Sequence, residues 1–253
     1  MNNILDIRKE LERFEPIDLE DVSGSRLMNR VDTKFVFHLG LLPELLSNLR
    51  DTYQVLEINN KRMMTYESLY LDDNSYSFYL DHHNKRDHRY KARFRHYVDS
   101  GDYFLEVKEK RKGRTVKERI KKPSFEYELS DNSEVFLDNY LENPDLTPSL
   151  WNTYERITLV DERSNERVTI DIGLEYRWEE KKKKFANLAI AELKQKKINR
   201  SSSFYRLMKS QLIRPFSISK YCIGLLEVRG EEGLKYNRFK KKVRTINNIN
   251  NAS

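Results

Sequence analysis

The sequence predicts an α+β fold: a closed antiparallel β-barrel of about eight strands with helices packed outside it. Three observations carry that reading. From about residue 62 to 121, and again from 154, the hydrophobic pattern has period two, the spacing of strands whose successive side chains face opposite ways. The strands follow one another in hairpin order, joined by tight connections at Ser100-Gly101-Asp102 and Lys112-Gly113-Arg114. About eight such strands are counted, with no internal repeat of fixed period and no Gly/Ser linker to divide them.

The elements follow in order. Ile4, Leu5, Ile7, Leu11 and Phe14 recur near helical spacing, and Pro16 ends that helix. A second short helix follows Asp18 and stops before Arg30. Residues 30–37 alternate polar with β-branched and aromatic side chains and read as a strand. Residues 41–49 read as a helix, with Pro43 tolerated in its first turn. Strands are then predicted at 63–72, 88–98, 103–112 and 115–121. Residues 124–150 read as a helical insertion around Val135-Phe136-Leu137 and Tyr140-Leu141, closed by Pro144 and Pro148. Period two returns at 154–161, 166–172 and 188–196, with a charged break at 179–184. Helices are expected at 202–212 and about 219–228. The expectation is one tunnel domain over 1–234 and a basic, Asn-rich, disordered tail at 235–253.

Composition narrows the partners. The 253 residues are 38% hydrophobic and 34% charged, with a formal net charge of +7. That charge favours polyanions: nucleic acid, acidic membrane or phosphorylated small molecules. Cys222 is the only cysteine, so no disulfide forms within the chain. His38, His82, His83, His88 and His96 have no zinc-ligand spacing and read as surface or packing residues. No apolar run is long enough to span a membrane, and Met1 to Asp6 lacks a basic, then apolar leader, so a cytoplasmic setting is expected.

The strand faces carry the chemistry. Side chains two apart share a face, which groups Arg30, Asp32 and Lys34 on the first strand. Lys91, Arg93 and Arg95 group against Tyr90, Ala92 and Phe94; Glu106, Lys108 and Lys110 group against Leu105 and Val107. Lys117 and Arg119 follow, then Arg156 and Thr158, then Arg167, Thr169 and Asp171, and finally Glu192, Lys194 and Lys196. An open sheet would turn such a face to solvent. Yet hairpin pairing sets Lys91, Arg93, Arg95, Lys108, Lys117 and Arg119 side by side, and like charges on adjacent strands repel. If the sheet closes, the charged face becomes an interior that needs an anion to fill it. A string of phosphates matches Arg and Lys donors. The 15 tyrosines read as packing on the apolar faces.

Nine segments in order resemble the VTC domain, the polyphosphate polymerase domain of the vacuolar transporter chaperone complex, within the triphosphate tunnel superfamily. They are Arg30-Val31-Asp32-Thr33-Lys34-Phe35, Tyr66-Glu67-Ser68-Leu69-Tyr70-Leu71-Asp72, Lys91-Ala92-Arg93-Phe94-Arg95-His96-Tyr97, Phe104-Leu105-Glu106-Val107-Lys108, Val116-Lys117-Glu118-Arg119, Tyr154-Glu155-Arg156, Arg167-Val168-Thr169-Ile170-Asp171, Ala191-Glu192-Leu193-Lys194 and Ser219-Lys220-Tyr221. The resemblance runs from about residue 24 to 226 and looks like a free-standing, bacterial version. It implies a tunnel, transfer of the γ-phosphate of ATP to a growing polyphosphate chain, and a divalent metal, Mn2+ or Mg2+. It implies that Lys34, Arg93, Arg95, Lys108, Lys117, Arg156, Arg167 and Lys220 hold phosphates, that Ser219 donates to a phosphate oxygen, and that Glu192 binds the metal. Strand parity adds Lys91, Arg119 and Lys194 as substrate-binding residues.

The chain departs from the family at Ser217, where the polymerase carries a second Lys on its last helix. Two other readings stand beside the polymerase. Triphosphate hydrolases of the superfamily open with an E-x-E-x-K strand, whereas this chain has Arg30-x-Asp32-x-Lys34, with one acid replaced by a base. A non-catalytic polyphosphate-binding module would bind in a salt-dependent way without consuming nucleotide. ATP and inorganic polyphosphate are the expected partners; nucleic acid is not.

Overall fold

The computed structural model describes residues 3–24, 31–111, 114–142, 145–230 and 233–252. Arg30, the Lys112-Gly113 turn and Pro144 lie outside the described residues. Near the N-terminus come α1 (Asn3–Leu11), β1 (Pro16–Ile17), α2 (Leu19–Gly24), β2 (Val31–His38), α3 (Leu42–Ser47) and β3 (Gln54–Leu56). The middle holds β4 (Met64–Asp72), α4 (Ser77–His83), β5 (Arg89–Tyr97), β6 (Asp102–Arg111), β7 (Arg114–Lys122) and α5 (Asp131–Asp138). The rest is β8 (Thr147–Asp161), β9 (Glu166–Trp178), β10 (Lys181–Phe185), β11 (Leu188–Gln195), α6 (Ser203–Ser210), α7 (Lys220–Arg229) and α8 (Lys240–Asn250).

Eight strands form one antiparallel path, β2-β11-β9-β8-β4-β5-β6-β7. The path curls strongly. Five steps separate β11 from β6, which on a flat sheet would be about 24 Å. Yet Lys108 of β6 feels Glu192 of β11 and Asp32 and Lys34 of β2 directly. The expected closure is corrected in one respect: among the described residues β2 and β7 end the path unpaired, so the barrel is open along one seam.

Alternation decides what lies on each side of this sheet. The convex face of β2, β8, β9 and β11 buries Phe35, Phe37, Ile157, Val168, Ile170, Ala191 and Leu193 against α1, α3 and α6. The convex face of β4, β5 and β6 buries Leu69, Ala92, Phe94, Leu105 and Val107 beside Phe136 and Leu137 of α5. The concave face is divided. At one end Val36, Tyr70, Leu150, Leu174, Tyr176 and Ile190 meet Tyr221, Ile223, Leu225 and Val228 of α7. So α7 is not an outer helix as expected; it plugs the hollow. Gly224 permits this, since a Cβ there would lie 2.2 Å from the Tyr176 ring. The other end holds the charged residues.

Three further expectations change. Among the described residues of 124–150 the short α5 is the only helix, and strand β8 already begins at Thr147. The charged break at 179–184 is mostly β10, which pairs with β9 and anchors itself with the fully buried Phe185. The tail expected to be disordered forms α8, held by buried Phe239 and Ile246, by Lys183 to Asn247 (3.1 Å) and by Asn187 to Asn250 (3.0 and 3.1 Å). No helix of the described residues is long and apolar enough to cross a membrane.

Candidate functional site

Three carboxylates organise the charged end of the hollow, and each serves two cations. Glu106 on β6 accepts from Arg93 Nε and Nη2 (2.9 and 2.7 Å) and from Lys117 Nζ (2.5 Å). Asp171 on β9 takes a bidentate fork from Arg156 (2.6 and 2.8 Å) and a bond from Lys220. Glu192 on β11 meets Lys34 at 2.6 Å and Lys194 at 3.4 Å. These pairings follow from register: Arg93 faces Glu106, Arg156 faces Asp171 and Lys34 faces Glu192 across adjacent strands.

Burial would raise each carboxyl's pKa, but the neighbouring cations win. Arg93, Arg95 and Lys117 hold Glu106 well below the usual carboxylate range; Arg156 and Lys220 do so for Asp171, and Lys194, Lys34 and Lys108 for Glu192. The cations show the converse strain. Burial pushes Lys91 down to about 7, with Lys108, Lys34 and Arg93 adding to it. Burial pushes Lys117 down to about 8 although Glu106 opposes. Lys108 is lowered by burial and like-charge neighbours. His82 is held neutral by burial and by Lys91, Arg89, Lys110 and Lys108.

Aromatic rings floor the site. Tyr66 and Tyr154 stack at 5.4 Å and 5°. Arg95 lies over them at 5.3 and 5.8 Å, Arg156 at 4.9 and 5.3 Å, and Lys220 lies 4.8 Å over Tyr154. Arg93 sits 5.8 Å over Tyr70. Such contacts hold guanidinium planes in place while leaving N–H edges free to turn to an anion. Arg95 also donates to Ser68 Oγ (3.2 and 3.3 Å).

The first turn of α7 enters this cradle. Ser219 caps the helix by accepting from Cys222 N–H (3.3 Å) and also accepts from Lys91 Nζ (2.9 Å). The next residue but one, Tyr221, donates to fully buried Asp72, which also accepts from the N–H groups of Phe78 and Tyr79 (both 3.0 Å). Burial raises the Asp72 carboxyl to about 6, despite these bonds.

The structure therefore brings together Lys34, Lys91, Arg93, Arg95, Lys108, Lys117, Arg156, Lys194, Glu192, Ser219 and Lys220 on one concave surface. Lys194 also donates to Thr169 Oγ1 (2.8 Å). Arg167 is half-buried, in register with Lys194. Arg119 is more peripheral: it is exposed on β7, 4.2 Å over the Phe104 ring. Ser217 is exposed in the segment leading to α7. Tyr66, Tyr70 and Tyr154 were missed as site residues. Their parity with Ser68 and Arg156 is visible in the sequence, and the reading of tyrosine as packing concealed it. Among the described residues no three His, Cys, Asp or Glu side chains converge as a metal cage. Glu192 is the most open of the three carboxylates, 20% exposed against 2% for Glu106 and 3% for Asp171.

Comparison with known proteins gives several distant structural likenesses and one family match. Among solved structures, a candidate adenylate cyclase from Bacillus halodurans has a TM-score of 0.49 at 10% identity, covering 84% of this chain and 100% of its own. A candidate adenylyl cyclase from Hippeastrum, described as having a dominant triphosphatase activity, has a TM-score of 0.48 at 11% identity, covering 77% and 94%. A candidate adenylate cyclase from Vibrio parahaemolyticus has a TM-score of 0.45 at 11% identity, covering 74% and 94%. No curated protein matches the sequence. The VTC domain family matches residues 29–229, a span that holds the whole strand path from β2 to β11 and the α7 plug, and the chain belongs to that family.

Proposed function

We propose that the chain is a polyphosphate polymerase that transfers the γ-phosphate of ATP to the end of a polyphosphate chain. The observation that carries this is the charge balance of the hollow. Glu106, Asp171 and Glu192 are each already engaged by two cations, and Lys91, Arg95 and Lys108 make no ion pair among the described residues. A hydrolase uses carboxylates to ready water; here the carboxylates hold cations apart, ready for a polyanion. Phosphoryl transfer needs chiefly positioning and charge neutralisation, which this surface supplies.

In this reading Arg93, Arg95, Arg156, Lys117 and Lys220 grip the triphosphate, and Ser219 donates to a phosphate oxygen. Lys34, Lys91, Lys108, Arg167 and Lys194 hold the acceptor chain, with Arg119 at the rim. An oxygen of the acceptor's terminal phosphate forms a bond to the γ-phosphorus. The bond from that phosphorus to the β–γ bridging oxygen breaks, and ADP leaves with that oxygen. No protein nucleophile is required. The donor set does not fit a metal held by protein alone, but it fits Mn2+ or Mg2+ arriving with phosphate oxygens and water and using one carboxylate. Glu192, the most open of the three, would be that ligand. Bound metal would neutralise charge on the β- and γ-phosphates.

The test is incubation of the protein with ATP and Mn2+ or Mg2+, with acid-stable polymer and free orthophosphate assayed separately. Short polyphosphate should speed ADP release, because it supplies the nucleophile. If primer only competes with ATP and all released γ-phosphate appears as orthophosphate, the chain is a triphosphate hydrolase. Binding without ADP release would mark a non-catalytic module.

A further inference from the structure

We propose that polyphosphate reaches the hollow sideways, through the seam between β2 and β7, so that an internal stretch of a long chain can seat without threading an end. This inference rests on the polyphosphate reading above and concerns how the chain gets in.

The seam follows from the topology: among the described residues β2 and β7 end the strand path without pairing. Hydrogen-bonded strands lie about 4.8 Å apart, and no such ladder joins these two edges among the described residues. The two edges are also unlike. On the β2 side, the Lys34 carbonyl accepts from Phe216 N–H (2.7 Å), so the segment before α7 lies along that strand. That segment takes up a β2 carbonyl. On the other side, residues 114–119 of β7 are all exposed, and Val116 is 52% exposed. The first six residues of this nine-residue edge strand are open on both faces, which invites a partner.

Charge decides which partner. Register places Lys108 opposite Lys117, Lys110 opposite Thr115 and Glu106 opposite Arg119, all on the concave face. Lys108, Lys110 and Arg119 make no ion pair among the described residues, so a stripe of positive charge runs from the hollow to the open edge. Arg114 and Arg111 stand at the end of the same hairpin. A second copy pairing edge to edge would bring such rows together, and like charges opposite one another destabilise a sheet. A polyanion lying across the edge meets the opposite condition. Its phosphates can pass along Arg119, Lys117 and Lys108 to Lys34 and Lys194 without desolvating any cation unpaired.

The test uses polyphosphate carrying biotin on both terminal phosphates, with streptavidin bound at each end. Free, singly blocked and doubly blocked chains are titrated against the protein at one ionic strength, since such binding is salt-dependent. Inorganic triphosphate is then added as competitor. Sideways loading predicts the same Kd for all three chains, with all three displaced by triphosphate. If the doubly blocked chain binds about tenfold more weakly or worse while the singly blocked one is unaffected, the chain is threaded and the seam proposal is overturned. Doubly blocked chain that triphosphate does not displace lies outside the hollow, which also overturns it. Light scattering on the same samples shows whether a dimer closes the seam; a dimer that excludes the doubly blocked chain has the same meaning. If free polyphosphate does not bind at all, the polyphosphate reading itself fails.

Discussion

Replacing Glu106 by Gln should destabilise the empty protein and make it more responsive to phosphate. The side chain is 2% exposed and serves Arg93 (2.7 Å) and Lys117 (2.5 Å). Gln keeps the shape and one acceptor but removes the charge between two cations. Breaking a buried pair costs about 3–5 kcal/mol. Lys117 is 38% exposed, so water screens its share and the lower end of that range applies. At roughly 2–4 °C per kcal/mol for a chain of this length, the melting temperature should fall by about 6–12 °C. Inorganic triphosphate gives the stranded cations new anionic partners, so its stabilising increment should be larger in the variant than in the parent. Calorimetric melts with and without triphosphate measure both effects. An unchanged melting temperature without ligand, or a smaller increment with it, would refute the idea that Glu106 stands in for substrate charge.

Three other predictions concern single residues. Glu192→Gln should remove metal-dependent activity while far-UV circular dichroism stays that of the parent; if Glu106→Gln abolished the metal dependence instead, Glu192 is not the ligand. Lys91, pushed down to about 7 by burial, is largely neutral at pH 8 in the empty protein, and a bound polyanion should raise its pKa, so binding of the polyphosphate chain should take up protons. Calorimetric titration in buffers of different ionisation enthalpy should show that uptake, and Lys91→Met should lose most of it; enthalpies independent of buffer would contradict the argument. The same shift has a sign for stability: the unfolded chain holds this proton to about 10.5 and the folded chain only to about 7, so rising pH between these values favours the fold. Gly224→Ala should unseat α7, since the added Cβ would lie 2.2 Å from the Tyr176 ring and 2.8 Å from Leu150. A loss of about 1–3 kcal/mol or more is expected, and a denaturant midpoint equal to the parent's would show that the helix adjusts freely.

Strand parity was decisive from sequence alone, because a strand's period of two is local and needs no knowledge of partners. It grouped Lys91 with Arg93 and Arg95, and Glu192 with Lys194, against the apolar residues that face the outer helices. Four things needed the tertiary structure. Whether β2 meets β7 depends on accumulated twist and curl across the whole path, which no single segment encodes. The place of α7 inside the hollow depends on Gly224 meeting Tyr176, two residues far apart in sequence whose fit is a matter of shape. Residues 179–184 read as a charged break because four lysines obscure β10, a strand whose stability comes from pairing with β9 and from one buried ring, Phe185. The tail's composition is that of a disordered segment, yet Phe239 packs on Tyr79 and His83 of α4, and Ile246 joins the apolar cluster that α7 and β11 share. Local pattern thus set which side chains share a face, while burial against distant partners decided which faces became the inside.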